Sequence, residues 1–440
     1  MPFITTLRKK GLSRLLTGGG LFFVLAAPVQ AIDQDLVIDE TRIPAPVLSV
    51  LFDLLQRDDP GLTESHFIDS VSENHVLADY LRAQNLTAIA LGDNPVGFSP
   101  KVQHENRLVS TLRAAYAAEL AQAAAELIDS NPMSMLDSPL EPATADLKAL
   151  LQGGTRVIYQ LSDDEMQSAG KLHLGHYRLP GDTTATVLTL ADIYQRQNVQ
   201  GRIALHEGET GWLQREVHLY LAQRFVLWWA RQRSPLRERG VNAMAMLIED
   251  QMLRQGWLAH SGVSAEIHAG NPALKARAQL VSDKEILRWY EAHQDRFREV
   301  SKVTVWQAQC QRRQDCDQVA EALRQGADFS QVAQQFSTRL GMSFSADPIT
   351  IRRGQGQLSW RDAVALMQSP DEIAPPVHAP GGELWYLFQV LEQGWHQYPA
   401  HSDTVRAVAR REIAQQALID DYQSLRDKLL TTASIQRPAP

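Results

Sequence analysis

The chain has 440 residues, of which 44% are apolar, and its 43 basic and 51 acidic residues give a formal net charge of −8. This length predicts two or three domains with substantial cores. The acidic balance argues against nucleic acid as a partner, because phosphate binding requires clustered Lys and Arg side chains.

The first 31 residues have the pattern of an export signal. Basic residues at 8–14 precede an apolar run at 21–27, and the small side chains of Val29 and Ala31 suit signal peptidase. An uncleaved anchor helix is the alternative, but a membrane span needs about 20 apolar residues and this run is shorter. We predict cleavage after Ala31 and a periplasmic location. No later segment is apolar enough to suggest an integral membrane protein.

The region 32–300 is predicted to be mostly helical. A short strand at 37–40 precedes a run of segments with apolar residues at helical spacing, and Thr63 is a favourable N-cap for the second helix. Residues 130–145 contain several prolines and indicate a linker or crossing segment. A strand is possible at 172–178. The predicted helices cover 45–56, 63–83, 99–129, 212–233 and 239–258.

Two cysteines, Cys310 and Cys316, are the only ones in the chain. In an oxidising compartment this pair predicts one disulfide. A metal site is the alternative, but two thiols without a nearby His or a second pair do not supply a ligand set. His173 and His176 also resemble metal ligands in their spacing, yet a strand or turn explains them better. The sequence therefore predicts no metal and no other cofactor.

The segment from residue 281 combines helices with strands. Ser282 and Glu285 form a predicted capping box at the start of a helix. Alternation over 303–310 predicts a strand, and a helix at 317–324 follows it. Gly326 is predicted to end that helix, and Asp328 to cap the next one at 329–337.

These residues resemble the parvulin family of prolyl isomerases, in the form found in SurA-like periplasmic chaperones. The similarity to the parvulin helix pair is carried by Leu323, Gly326, Asp328, Phe329, Val332, Ala333, Phe336 and Ser337. The run from Glu372 to Val377 is similar to the family's approach to its last strands, and residues 384–392 match the closing strand. Residues 100–240 match no family that we recognise.

The resemblance implies an α+β fold in three parts. A mostly helical chaperone lobe is expected at 32–300, followed by a parvulin-like domain at 301–395, in which a small antiparallel sheet is wrapped by helices. Residues 396–440 are expected to form a linker and a C-terminal helix, at 404–430, that packs back on the helical lobe.

Two positions depart from the family pattern at its catalytic histidines. Gln307 stands at the position of the His on the first strand, and Tyr386 at that of the His on the closing strand. The usual Gly-Gly stretch is replaced by residues 345–348. The family relation implies peptidyl-prolyl cis-trans isomerase activity, and these substitutions predict that the activity is weak or lost. An active isomerase, in which both side chains donate hydrogen bonds, is the alternative.

The apolar part of the family's proline pocket is expected to persist. Leu358, Trp360, Met367 and Phe388 fall near its positions. The alternative is a buried core stripe of a helix, which for this helix comprises Trp360, Ala363, Val364 and Met367.

The resemblance implies a periplasmic folding factor. Its expected partners are unfolded or partly folded exported polypeptides, held in apolar grooves and at exposed strand edges. No nucleotide partner is expected, because the phosphate-binding pattern Gly-x-x-x-x-Gly-Lys-Ser/Thr is absent from the sequence. A dedicated assembly factor for one secreted partner is a further alternative.

Overall fold

The computed structural model describes residues 32–92, 96–138, 140, 144–152, 159–264, 270–340, 342–354 and 357–438. The predicted signal peptide and its cleavage point at Ala31 lie outside the described residues. The chain forms two compact units. As far as it is described, the first unit runs to Trp257 and resumes at Arg426, and the second spans Leu258–Leu425. The second unit therefore begins upstream of residue 301, where the parvulin-like domain is predicted to start.

The protein is α+β, with helices in the majority. The helices are α1 Ala45–Asp58, α2 Glu64–Ala83, α3 Thr87–Leu91, α4 Pro100–Ala115, α5 Ala117–Ile128, α6 Thr144–Leu151, α7 Asp163–Lys171, α8 Leu190–Tyr194, α9 Val199–Glu207, α10 Thr210–Gln232, α11 Arg237–His260, α12 Pro272–Gln279, α13 Asp283–His293, α14 Arg313–Arg324, α15 Phe329–Leu340, α16 Trp360–Leu366 and α17 Asp403–Thr432. Short 3-10 helices cover Pro132–Met135 and Gln294–Phe297.

The strands form three antiparallel sheets. They are β1 Leu36–Ile38, β2 Thr41–Ile43, β3 His173–Tyr177, β4 Thr186–Thr189, β5 Arg298–Cys310, β6 Ser343–Phe344, β7 Ile349–Arg352, β8 Val377–His378, β9 Trp385–Gln397 and β10 Ile435–Gln436. One sheet has the order β10-β1-β2, a second pairs β3 with β4, and the third has the order β6-β5-β9-β8 with β7 also paired to β5.

The helical unit confirms most of the predicted helices. Thr63 caps α2, where its hydroxyl accepts the His66 backbone N–H at 3.3 Å, and the apolar side of α11 is buried as its spacing predicts. The single long helix predicted over 99–129 is wrong, because α4 ends and α5 begins around Tyr116. The Tyr116 ring is 92% buried, with its centroid 5.6 Å from that of Trp229, so the bend turns an aromatic side chain into the core.

The C-terminal end of the chain joins the N-terminal hairpin. Strand β10 pairs with β1, and the Asp39 backbone N–H donates to the Ser434 carbonyl at 2.8 Å while the Asp39 carboxylate accepts the Ser434 N–H at 2.8 Å. Leu429 and Leu430 at the end of α17 pack on the core of the same unit. The predicted return of the C-terminal helix to the helical lobe is confirmed, although the pairing of β10 was not predicted.

The second unit is built around the sheet of β5 and β9. Helix α13, which precedes the sheet, has the predicted capping box, in which the Ser282 hydroxyl accepts the Glu285 N–H and the Glu285 carboxylate accepts the Ser282 N–H. Gly326, at φ +87°, adopts the left-handed conformation that ends α14. The Asp328 carboxylate then accepts two backbone N–H groups at the start of α15.

The two faces of this sheet carry separate apolar cores. On the back face, Ala308 and Leu387 pack against α14 and α15, and Cys310 is joined to Cys316 of α14 in a disulfide. On the other face, Val305 and Phe388 pack beneath α16. Because successive side chains of a strand point to opposite faces, neighbouring residues of β5 and β9 lie in different cores.

Among the described residues, no helix combines the length and the apolarity that crossing a bilayer would require.

Candidate functional site

The two residues that the sequence analysis aligned with the family's histidines lie on the same face of the sheet. Gln307 of β5 pairs directly with Phe388 of β9, and Gln309 pairs with Tyr386. Gln307 and Tyr386 are therefore diagonal neighbours on adjacent strands, a relation in which Cα atoms are roughly 7–8 Å apart. We call this side of the sheet, which carries Val305, Gln307, Tyr386 and Phe388 and packs against α16, the site face.

The segment that follows β6 is fixed to the backbone of Gln307. The Gln307 N–H donates to the Ser345 hydroxyl at 3.1 Å, and the Ser345 N–H donates to the Gln307 carbonyl at 2.9 Å. Ser345 opens the stretch that replaces the family's glycines. Its hydroxyl is thus engaged with the strand backbone, and the half-buried side chain of Gln307 supplies the amide group at this position.

Tyr386 is held between two side chains of α16. Its ring is 93% buried and meets the Trp360 ring edge to face, with centroids 5.2 Å apart and planes at 83°. The Arg361 guanidinium carbon lies 5.5 Å from the centre of the same ring. This cation–π contact was not predicted from the sequence, because a single Arg in the first turn of a short helix gives no signal of it.

The structure brings three of the four predicted pocket residues together. Phe388 is only 1% exposed, and Leu358 and Trp360 are half-buried against the same cluster. Met367, which follows the last residue of α16, is 84% exposed and does not take part in that cluster. Phe388 is therefore part of the core, and Leu358 and Trp360 are the predicted pocket residues of this cluster that remain partly exposed.

The core stripe proposed as an alternative for α16 is only partly correct. Trp360 and Val364 do pack on the site-face core, but Ala363 and Met367 are exposed, and the fully buried residues are Ala365 and Leu366. With only 7 residues, α16 buries its C-terminal end as well as one side. The helical spacing of apolar residues therefore does not predict which of its side chains are buried.

A cavity lies on the back face of the sheet. It has a volume of about 350 Å³ between Trp306, Phe329 of α15 and Phe344 of β6. The Trp306 and Phe329 rings are stacked, with centroids 4.7 Å apart, and Phe344 meets Phe329 at 5.7 Å. Sequence reasoning missed this group, because the three aromatic residues lie on three elements whose packing the pattern alone does not determine.

The site face supplies hydrogen-bond donors but no imidazole. Rotation about a peptide bond has a barrier of about 18–20 kcal/mol, and catalysis requires polar groups placed for the twisted amide beside an apolar wall. The Gln307 amide and the Tyr386 hydroxyl are both donors. Among the described residues, no His belongs to the site-face core; His378 of β8 is exposed and meets Trp385 of the other face edge to face.

The second unit thus contains a five-stranded antiparallel sheet with helices packed on both faces. Residues 281–393 match the family model described as the PPIC-type PPIASE domain. This segment is thus a parvulin-type domain, and the family resemblance is confirmed for it. The match covers residues of the second unit and none of residues 32–257.

No curated protein matches the chain. A solved structure from Campylobacter jejuni, from work on the SurA-like chaperones PEB4 and Cj1289, is similar at 12% identity, covering 57% of this chain and 94% of that chain. The TM-score is 0.16, so this similarity carries no argument about the structure of the chain.

Proposed function

We propose that the chain is an exported, periplasmic folding factor that binds unfolded or proline-containing segments of exported proteins, with weak or no isomerase activity. The observation that carries the proposal is the composition of the site face. The half-buried Gln307 amide and the largely buried Tyr386 phenol lie on one face of a parvulin-type sheet, beside the partly exposed apolar side chains of Leu358 and Trp360. Such a surface retains the means to hold a chain and lacks the family's histidines.

The edge of the sheet also supports the binding of polypeptide without isomerisation. Strand β7 pairs with β5 along one side, and Ile349 at its start is 40% exposed. An edge strand offers main-chain hydrogen bonds to any extended peptide, whatever its side chains. The periplasmic location rests on the signal pattern of residues 1–31.

A proline-peptide isomerisation assay on the full chain tests the chemical part of the proposal. We expect a rate close to that of the uncatalysed peptide. An acceleration of about 10²-fold or more, the usual contribution of general acid–base groups, would contradict the proposal. Loss of that acceleration in Tyr386→Phe would then establish the phenol as a working donor and favour the active isomerase.

Suppression of aggregation tests the binding part. The chain is added to several chemically unfolded, unrelated proteins, and light scattering is followed as they are diluted out of denaturant. We expect slower aggregation of most of them. Protection of none of them would contradict the proposal and favour a factor dedicated to one partner.

A further inference from the structure

Four arginines gather at the junction of α10 and α11 in the helical unit. Arg231 lies in the last turn of α10 and Arg233 directly follows that helix, whereas Arg237 and Arg239 lie in the first turn of α11. All four side chains are exposed, as is that of Glu238 between the last two. We call these five residues the arginine patch. The net charge of −8 conceals this local excess of positive charge, which sequence reasoning missed.

The turn that carries the patch is fixed by buried residues. Ser234 is fully buried, and its hydroxyl donates to the Ala230 carbonyl and accepts the Leu236 N–H at 3.2 Å. Leu236 is also buried and belongs to the core of the unit. Because these two side chains anchor the segment between the helices, the helix ends and the arginines that they carry are held in one place.

The charge of the patch is not neutralised by the acidic residues that the structure describes. None of their carboxylates lies within ion-pairing distance of the four guanidinium groups. Arg237 donates to the Gln232 carbonyl, and Arg233 lies over the Trp228 ring, 5.6 Å from its centre, so the partners of both are neutral. Four arginines and one glutamate thus leave an excess of three positive charges.

Two elements that pack beside the patch leave this excess unchanged. The Tyr116 ring packs on the last turn of α10, and the charged residues nearest to it in the sequence, Arg113 and Glu119, have opposite signs. Val47 of α1 approaches the first turn of α11. Residues 45–52 of that helix carry no charged side chain.

Helix stability explains only half of the patch. The helix dipole favours cations at the C-terminal end of a helix and anions at the N-terminal end. Arg231 and Arg233 at the end of α10 agree with this rule. Arg237 and Arg239 contradict it, because they place positive charge in the first turn of α11. Their positions oppose the dipole without an ion pair to a described carboxylate, a cost that contact with an anion would offset.

We infer that the arginine patch binds the surface of a membrane that contains anionic phospholipids. The guanidinium group is a planar fork of donors that matches phosphate oxygens, and each basic residue next to an anionic bilayer strengthens binding by about fivefold. Exposed arginines hold one phosphate weakly, whereas a surface of many phosphates engages all of them together. Trp228, half-buried beside Arg233, is of the residue type that is enriched at membrane–water interfaces.

Vesicle binding by the chain from Ile32 onward tests this inference, which is independent of the proposed function. Residues 1–31 are removed, as in the predicted exported form, because their basic and apolar side chains would bind vesicles by themselves. Every residue that the structure describes is retained. Binding is measured by co-sedimentation with vesicles of phosphatidylcholine alone and of phosphatidylcholine mixed with phosphatidylglycerol, at low and at raised salt.

Three double variants separate the patch from the overall charge. Arg231→Gln with Arg239→Gln removes two charges at exposed positions that make no hydrogen bond within the described part of the chain. Arg231→Lys with Arg239→Lys keeps both charges. The matched control, Arg57→Gln with Arg107→Gln, removes the same net charge from exposed positions outside the patch. Arg107 contacts Gln255, which is distant from the first turn of α11.

We expect the chain to bind vesicles that contain phosphatidylglycerol and not those of phosphatidylcholine alone, and raised salt to release it. The Gln pair in the patch should weaken binding about 30-fold, a loss of about 2 kcal/mol at about 1 kcal/mol for each arginine. The Lys pair and the control pair should bind nearly as the unmodified chain does.

Four results would overturn the inference. The first is no binding to the anionic vesicles, and the second is equal weakening by the patch pair and the control pair, which would assign the effect to net charge. The third is release by glycerol phosphate at constant ionic strength, which would indicate a site for a single phosphate. The fourth is tighter binding to a DNA duplex at the same phosphate concentration, which would indicate a nucleic-acid partner.

Discussion

Replacing Asp250 with Asn should destabilise the helical unit and change how its stability depends on pH. Asp250 of α11 is fully buried, and one carboxylate oxygen lies 2.7 Å from the His75 ring nitrogen Nδ1 while the other accepts the Arg82 guanidinium at 2.6 Å. Asp79 and Glu249 also contact these cations from the two helices. These five residues form an ionic cluster that joins α2 to α11.

The pKa of His75 determines the direction of the pH effect. Burial acts to lower this pKa, but the hydrogen bond and the charge of Asp250, with the charge of Asp79, outweigh burial, so the pKa is raised above its ordinary value of 6.5. The folded chain therefore binds this proton more tightly than the unfolded chain. The resulting stabilisation is complete below pH 6.5 and is lost as the pH rises through the raised value.

The size of the destabilisation depends on which contacts remain after the substitution. Removing one partner of a buried ion pair costs about 3–5 kcal/mol, but the amide introduced by Asp250→Asn would keep an acceptor for His75, and Arg82, 32% exposed, would keep Asp79 and Glu249. We expect a loss of about 2–3 kcal/mol near pH 5.5, where His75 is charged. Above the raised pKa of His75 the loss should fall towards about 1 kcal/mol, the value of a neutral hydrogen bond.

Hydrogen–deuterium exchange of peptides from α2 and α11 measures this locally. A loss of 2–3 kcal/mol lowers their protection roughly 30-fold to 150-fold, provided that they exchange by opening of the helical unit. Peptides from α13 in the second unit serve as an internal reference, and Asp58→Asn, at an exposed position of α1, is the control variant. An equal loss of protection below and above the raised pKa of His75 would refute the coupling of His75 to Asp250.

Two further predictions concern packing and the disulfide. Gly256→Ala should destabilise the helical unit by about 1–3 kcal/mol, because a Cβ atom there would lie 1.8 Å from the Ala90 carbonyl oxygen. At Gly170 an added Cβ meets nothing within 4 Å, so Gly170→Ala should instead stabilise the unit by about 0.5–1 kcal/mol. Urea unfolding of the two variants distinguishes these outcomes. Replacing Cys310 and Cys316 together with Ser should destabilise the second unit by about 2 kcal/mol, since the disulfide closes a loop with a sequence separation of only 6. An unchanged unfolding midpoint in either destabilised variant would contradict the corresponding prediction.

Local signals in the sequence predicted the helix starts and the order of elements in the second unit. The capping residues Thr63, Ser282 and Asp328 each make the backbone contacts expected of them, because such contacts span only two or three residues. The bend at Tyr116 was missed, because the residues on both sides of it favour a helix. Only the packing of the Tyr116 ring in the core distinguishes two helices from one continuous helix. The pairing of β10 with β1 was missed for a similar reason, as a two-residue strand gains its stability from a partner that is distant in sequence.

The site was predicted in part. The sequence identified the strand positions of Gln307 and Tyr386, and alternation then placed both on one face. It did not show that Ser345 would bind the backbone of Gln307, or that Arg361 would cover Tyr386, because both contacts depend on how loops and a short helix return to the sheet.

The buried residues of the helix-pair motif lie on a different face of the sheet from Gln307 and Tyr386. Four apolar residues of that motif, Leu323, Phe329, Val332 and Phe336, are buried in the back-face core with the disulfide. Gln307 and Tyr386 point to the other side, where substitution leaves that core untouched. The site face has an apolar core of its own, which includes Tyr386, whereas Gln307 is half-buried and lies outside that core. Consistent with this separation, Gln307→His should leave the stability of the second unit nearly unchanged, whereas Phe336→Ala, which removes a 94% buried ring, should cost about 3–5 kcal/mol in urea unfolding. Equal losses in the two variants would show that the faces are not independent.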